Sequence, residues 1–289
     1  MINNLGINTV HVDIRKLEDL GLKRVEMCLG RMGSASDRLY KMLEEIKLAK
    51  EMQIPFSIHL PMVISDDFVG DYLDVFFLDP DPEKREMSFR TLEENLIEMA
   101  KIKPDYCVLH FAGVYREKKE AFPDFELVLN EALKRINDLC QSYNTKVLLE
   151  YMGSNIRFSD YMDWIRVTRD LSHVGLITDT GHLYFASLIH GFDYMQALDR
   201  LASASEAFHI WTTKGQKTYG ESEYYKKYHH IIPHAEQFKE GDWAFDTKSV
   251  FERIAKERKP IIIEASTVYK GKTYFYQGIE SVISILENM

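Results

Sequence analysis

The stretch "HVGLITDTGHLYF", His173 to Phe185, runs an apolar segment into a carboxylate. Its first half, "VGLIT", has the length and β-branched content of a buried strand. Asp179 closes that strand, and Gly181 and His182 stand between it and a second apolar run. Burying an unpaired charge costs several kcal/mol, so this carboxylate needs a partner. The strand therefore ends either in the N-cap of a following helix or in a group that binds something.

The same design recurs along all 289 residues. Eight short apolar runs read as strands: "LGINTV", "RVEMCL", "PFSIHLP", "YCVLHFA", "KVLLEYM", "VGLITDT", "AFHIW" and "PIIIEAS". Amphipathic patterns alternate with them, from "DIRKLEDLG" and "SDRLYKMLEEIKLAKEM" to "FDYMQALDRLASA", "TKSVFERIAKE" and "GIESVISILEN". In the second of these Leu39, Met42, Leu43 and Ile46 share one face. Strand, helix and parallel strand make a βαβ unit, and eight such units predict an α/β fold, a single (β/α)8 TIM barrel spanning 1–289. Two segments are long for βα loops: the acidic, aromatic run from Ile64 to Glu83, a candidate lid, and the run from Thr212 to Trp243, which holds His229, His230 and His234.

Composition narrows the partners. The net charge of −9 advertises no nucleic-acid or anionic-membrane surface. Cys28, Cys107 and Cys140 lie far apart without a CxxC spacing, which points to reduced thiols. No run approaches the roughly 20 apolar residues of a membrane span, and the start lacks a secretory signal, so a cytoplasmic location is expected.

Ionisable residues recur at one depth on these strands. Counted from the polar, Pro, Gly or Tyr residue that opens each run, with "GLITD" and "EAFH" for the sixth and seventh, His59, His110, Glu150, Asp179 and Glu264 each stand fifth and His209 fourth. Glu150, Asp179, His209 and Glu264 follow one another at spacings of 29, 30 and 55 residues, as successive βα units would place them. Three carboxylates and an imidazole form a set for a divalent metal, leaning to Mn²⁺ or Zn²⁺, with Mg²⁺ or Co²⁺ as the other choices. On this reading Asp179 is a metal ligand and His182 overlooks the same site. Glu26 is a candidate partner behind the ligands, Lys214 a candidate for a substrate phosphate or oxyanion, and Trp211, with Tyr151, Phe111 and Met62, for an apolar wall against a sugar ring. Each has a plainer alternative, as a core histidine, an ion pair or a packed aromatic.

At these residues the sequence resembles the xylose-isomerase-like barrel superfamily, which holds sugar and sugar-phosphate isomerases and epimerases together with endonuclease IV. The resemblance lies in "LLE" ending at Glu150, "DTGH" from Asp179 to His182, "FHI" around His209, "KEGDWAFD" from Lys239 to Asp246, and "IIIEAS" around Glu264. It implies one metal on Glu150, Asp179, His209 and Glu264, with Glu150 and Glu264 as the catalytic pair exchanging protons with substrate and His182 contacting it. The expected activity is isomerisation or epimerisation of a sugar or sugar phosphate through a metal-stabilised enediolate. The alternative is an endonuclease IV-like phosphodiesterase acting on abasic DNA, with His59, His110, His182 and His234 as further metal or substrate residues. A dehydratase on the same fold is a third. Ile232 occupies the register of an aspartate in the nuclease pattern, and the loop after His59 is acidic where DNA would need phosphate contacts. The expected partner is thus a small carbohydrate, with nucleic acid disfavoured and oligomeric state unspecified.

Overall fold

In the computed structural model, described for residues 4–29, 35–64, 68, 75–113, 124–153, 155, 157–214, 229–237, 243 and 246–289, all eight expected strands form. They are β1 (Leu5–Asn8), β2 (Arg24–Met27), β3 (Phe56–His59), β4 (Cys107–His110), β5 (Val147–Tyr151), β6 (Val174–Asp179), β7 (Ala207–Ile210) and β8 (Ile261–Ile263). Their order runs β1 to β8 and closes on itself, giving a parallel (β/α)8 barrel. Continuous rather than alternating apolar runs are what such strands require, since both faces are covered. The helices are α1 (Ala35–Glu51), α2 (Pro82–Ile102), α3 (Phe125–Ser142), α4 (Tyr161–Thr168), α5 (Thr180–His190), α6 (Tyr194–Ala204), α7 (Thr247–Ala255) and α8 (Gly271–Glu287).

Two elements depart from the sequence expectation. "DIRKLEDLG" forms only a 3-10 turn at Ile14–Lys16, because Asp13 caps it by accepting from the Arg15 amide and Gly21, at φ +68°, soon turns the chain. After β6 there are two helices, not one. Asp179 caps α5 at once, Gly191 ends it in the left-handed region, and Asp193 caps α6. On α1 the buried stripe is Met42, Ile46 and Ala49, whereas Leu43 is 43% exposed, one position off the core face.

The chain divides into two compact units. The first comprises Met1–Glu26 and Thr178–Met289. In it β1 pairs with β2, Asn8 opposite Glu26, and β7 with β8, His209 opposite Ile262. Its core holds Ile7, Phe208, Ile210, Phe251, Ile262 and Phe275, all at 0% exposure. The second unit is Met27–Ile177. There β4 pairs with β5 so that His110 stands opposite Glu150, and Phe77, Phe111, Tyr151, Phe158 and Trp164 pack as an aromatic core. Buried Asn95 on α2 fixes the loop after β3, accepting from the Met62 and Val63 amides and donating to the Val63 carbonyl.

Candidate metal centre

In the first unit the last residue of β6, the last but one of β7 and the residue following β8 bring Asp179, His209 and Glu264 together. Asp179 and His209 are fully buried, as is Glu26 on β2. His209 Nε2 lies 2.8 Å from Glu26 Oε1, while its Nδ1 lies 3.1 Å from Glu264 Oε2 and 4.0 Å from Asp179 Oδ2. One imidazole thus stands between carboxylates on both sides. A cation held by Nδ1 and the neighbouring carboxylates would suit these donors, with Glu26 behind the ring, as carboxylates commonly stand behind metal-bound histidines.

Asp179 is held at both oxygens. Oδ1 accepts from the His182 amide at 2.7 Å, as the cap of α5, and Oδ2 accepts from Trp211 Nε1 at 2.7 Å. Burial, and next the Asp179 carboxylate, push the Tyr194 phenol well above its ordinary range, so it stays a neutral neighbour. Glu264 is the partly open member, with 18% of its side chain exposed.

Trp211 organises the surrounding histidines. His230 stacks on it at 4.6 Å and 12°, and His182 and His229 meet it edge-on at 5.3 and 4.7 Å. His182, His229 and His230 each offer a donor atom within 4.8 Å of the others. His230 Nδ1 lies 2.7 Å from the Glu264 carbonyl, to which it donates. His234, expected among these residues, lies elsewhere: it stacks on Tyr274 and its Nδ1 accepts from the Glu236 amide. The signal for His229 and His230 was the apolar pair behind them. Ile231 forms a bridge to Thr212 and draws "HHII" back against β7.

In the second unit Glu150, 1% exposed, receives two imidazoles on one oxygen. His59 Nε2 is 3.2 Å and His110 Nε2 3.0 Å from Glu150 Oε2. His59 Nδ1 faces the Leu60 carbonyl at 3.1 Å, which orients the ring so that Nε2 meets the carboxylate. These three residues form a second donor group in which a cation suits the chemistry. Beside it lies a cavity of about 30 Å³ lined by Cys28, Leu60, Val75, Leu109 and both histidines.

Other expected residues fall in less open places. Trp211 is fully buried and donates to Asp179, so it forms no wall open to a ligand. Tyr151, Phe111 and Met62 are core residues, with the Tyr151 hydroxyl donating to the Ser159 carbonyl. Lys214 forms a bridge with Trp243 and sets Nζ 4.2 Å from the indole centroid. Residues 65–67 and 69–74 of the acidic segment, 215–228 and 238–242 of the later one, and 244–245 just after it lie outside the described residues.

Residues 14–285 match the family described as xylose isomerase-like TIM barrel. The chain belongs to that family. This xylose isomerase-like barrel is 26% identical over 182 residues to a probable endonuclease 4 of Acholeplasma laidlawii (strain PG-8A), covering 58% of the chain. It spans 56%, about half, of that curated relative's length. Among solved structures it resembles 3-keto-D-glucoside 4-epimerase, YcjR, from E. coli, with TM-score 0.64, 15% identity and 99% of both chains covered. It also resembles the IolI protein solved with a zinc atom, with TM-score 0.65, 14% identity and coverage of 99% and 98%. At such identities the two structures speak for the shared fold. Within it, the xylose isomerase-like chain carries groups of donors suited to a divalent metal.

Proposed function

We propose that this chain is a divalent-metal-dependent isomerase or epimerase of a sugar or sugar phosphate. Glu150, Asp179, His209 and Glu264 would hold one ion, Mn²⁺ or Zn²⁺ by the mixture of oxygen and nitrogen donors, with Mg²⁺ and Co²⁺ next. The observation that carries the reading is His209, fully buried between Glu26 at 2.8 Å and Glu264 at 3.1 Å. Glu150 is the last residue but one of β5 and Asp179 ends β6, and in a parallel barrel residues at the carboxyl ends of strands supply the active site.

A divalent ion bound there supplies positive charge that polarises a carbonyl and acidifies the adjacent C–H. The chain supplies the proton transfer. Glu264 is suited to it because it touches His209 yet stays partly exposed, so one carboxylate reaches both the donor group and a substrate. Glu150 is the opposite partner in an epimerisation, while His182 and Lys214 orient hydroxyl or phosphate groups. In deuterated water the enzyme should exchange a substrate C–H proton, and Glu264→Gln should abolish exchange while retaining the fold. Undiminished exchange in that variant would refute the assignment.

A second reading is favoured by one specific observation. Two imidazoles on Glu150 Oε2 are poorly suited to a catalytic base and well suited to a second metal sharing that carboxylate. This supports a metal-dependent phosphodiesterase, and the curated relative bears the name probable endonuclease 4. Such an enzyme should nick an abasic-site duplex and lose that activity in His110→Ala, whereas an isomerase should leave the duplex intact.

A further inference from the structure

We infer that Trp211 is a positioning residue that fixes how Asp179 presents itself to a metal, an inference that rests on the metal reading above. The indole is 0% exposed and its Nε1–H donates to Asp179 Oδ2 at 2.7 Å. The other oxygen, Oδ1, is already taken by the His182 amide at 2.7 Å. With a bond on each oxygen the orientation of the carboxylate is set from both sides. Oδ2, the oxygen that Trp211 holds, is the one 4.0 Å from His209 Nδ1 and so on the side of the other donors.

The indole is itself clamped. A Cβ on Gly181 would lie 2.3–2.5 Å from its ring atoms, so the absence of a side chain at 181 lets the ring sit against the first turn of α5. On the stacking side His230 lies at 12° and 4.6 Å, and that histidine's Nδ1 meets the Glu264 carbonyl at 2.7 Å. Trp211 thereby bonds to one carboxylate residue directly and braces the backbone of a second through His230. Its N–H, rather than its bulk alone, is the working part.

Trp211→Phe keeps the stack and removes the N–H. Partners of this kind typically contribute 10–100-fold to metal affinity, and that is the loss expected for Zn²⁺ in a chelator competition. With Co²⁺ as probe, the visible ligand-field spectrum should change in the same variant. Trp164→Phe is the matched control, since Trp164 is 1% exposed and its Nε1 donates to the Phe158 carbonyl at 2.9 Å; it should leave both readouts unchanged. If Trp211→Phe does not fold, the parent answers the question. The chain has three tryptophans, and Zn²⁺ should shift the indole N–H resonance of Trp211 while leaving that of Trp164 in place. A parent chain that binds no metal overturns both the metal reading and this inference. A parent that binds, with a folded Trp211→Phe of equal affinity and unchanged spectrum, or with an unshifted Trp211 resonance, overturns the inference alone.

Discussion

Gly181 shows how one position couples local geometry to the candidate site. A methyl group there meets the Trp211 ring at 2.3–2.5 Å, and that ring is fully buried. Gly181→Ala should therefore destabilise the chain by about 1–3 kcal/mol, as overpacking does, and weaken metal binding along with it. A melt and a metal titration on the same sample check both. The thiols give a second prediction. Burial pushes the Cys140 thiol up to about 12, so at neutral pH it should resist alkylation in the folded protein while the partly exposed Cys28 reacts. Peptide mapping after brief iodoacetamide treatment would settle the order. Sequence periodicity makes residues at strand ends legible: His59, His110, Glu150, Asp179 and His209 each close or nearly close a strand. It does not say which neighbour a side chain meets across a fold, which is why Trp211 looked like an open wall and His234 like a member of the histidine group.

Caps and cross-helix pairs govern the elements. The Asp246 side chain accepts from the Lys248 amide and the Ser249 hydroxyl at the start of α7. Asp246→Ala should cost about 1 kcal/mol, measurable in urea denaturation, with the metal centre untouched. Between α2 and α3 the Arg135 guanidinium bonds both oxygens of Glu86, at 2.6 and 2.9 Å, and holds that carboxyl below its ordinary 4.5. A lowered folded-state value stabilises above the unfolded one, and the contribution fades as pH falls through the lowered value. The pair is about half exposed, so its worth at neutral pH is at most about 1 kcal/mol. Arg135→Gln should lower stability at pH 7 and make progressively less difference as the pH drops below 4.5. The eight strands were legible because each is a short apolar run. The first helical pattern was not, since its cap and Gly21 leave room for a single 3-10 turn, and the extra helix after β6 depends on Asp179 acting as an N-cap.

At the scale of the whole chain, the eightfold alternation of strand and helix was enough to anticipate a closed parallel barrel. Among the described residues no helix is long and apolar enough to cross a membrane. What the alternation leaves open is chemistry, because the same strand ends supply donors for one ion or for several. In the first unit His209 stands between Glu26 and Glu264, and in the second His59 and His110 share one oxygen of Glu150. The proposed role of these carboxylates and imidazoles is to hold divalent metal. The most direct test is metal content per chain, by plasma mass spectrometry, on protein purified without chelator and on His209→Ala prepared alongside. At least one Mn²⁺ or Zn²⁺ per parent chain and its loss in the variant are expected, with one ion favouring the isomerase and two or three the phosphodiesterase. A folded parent without metal, or a variant with undiminished content, would contradict that role.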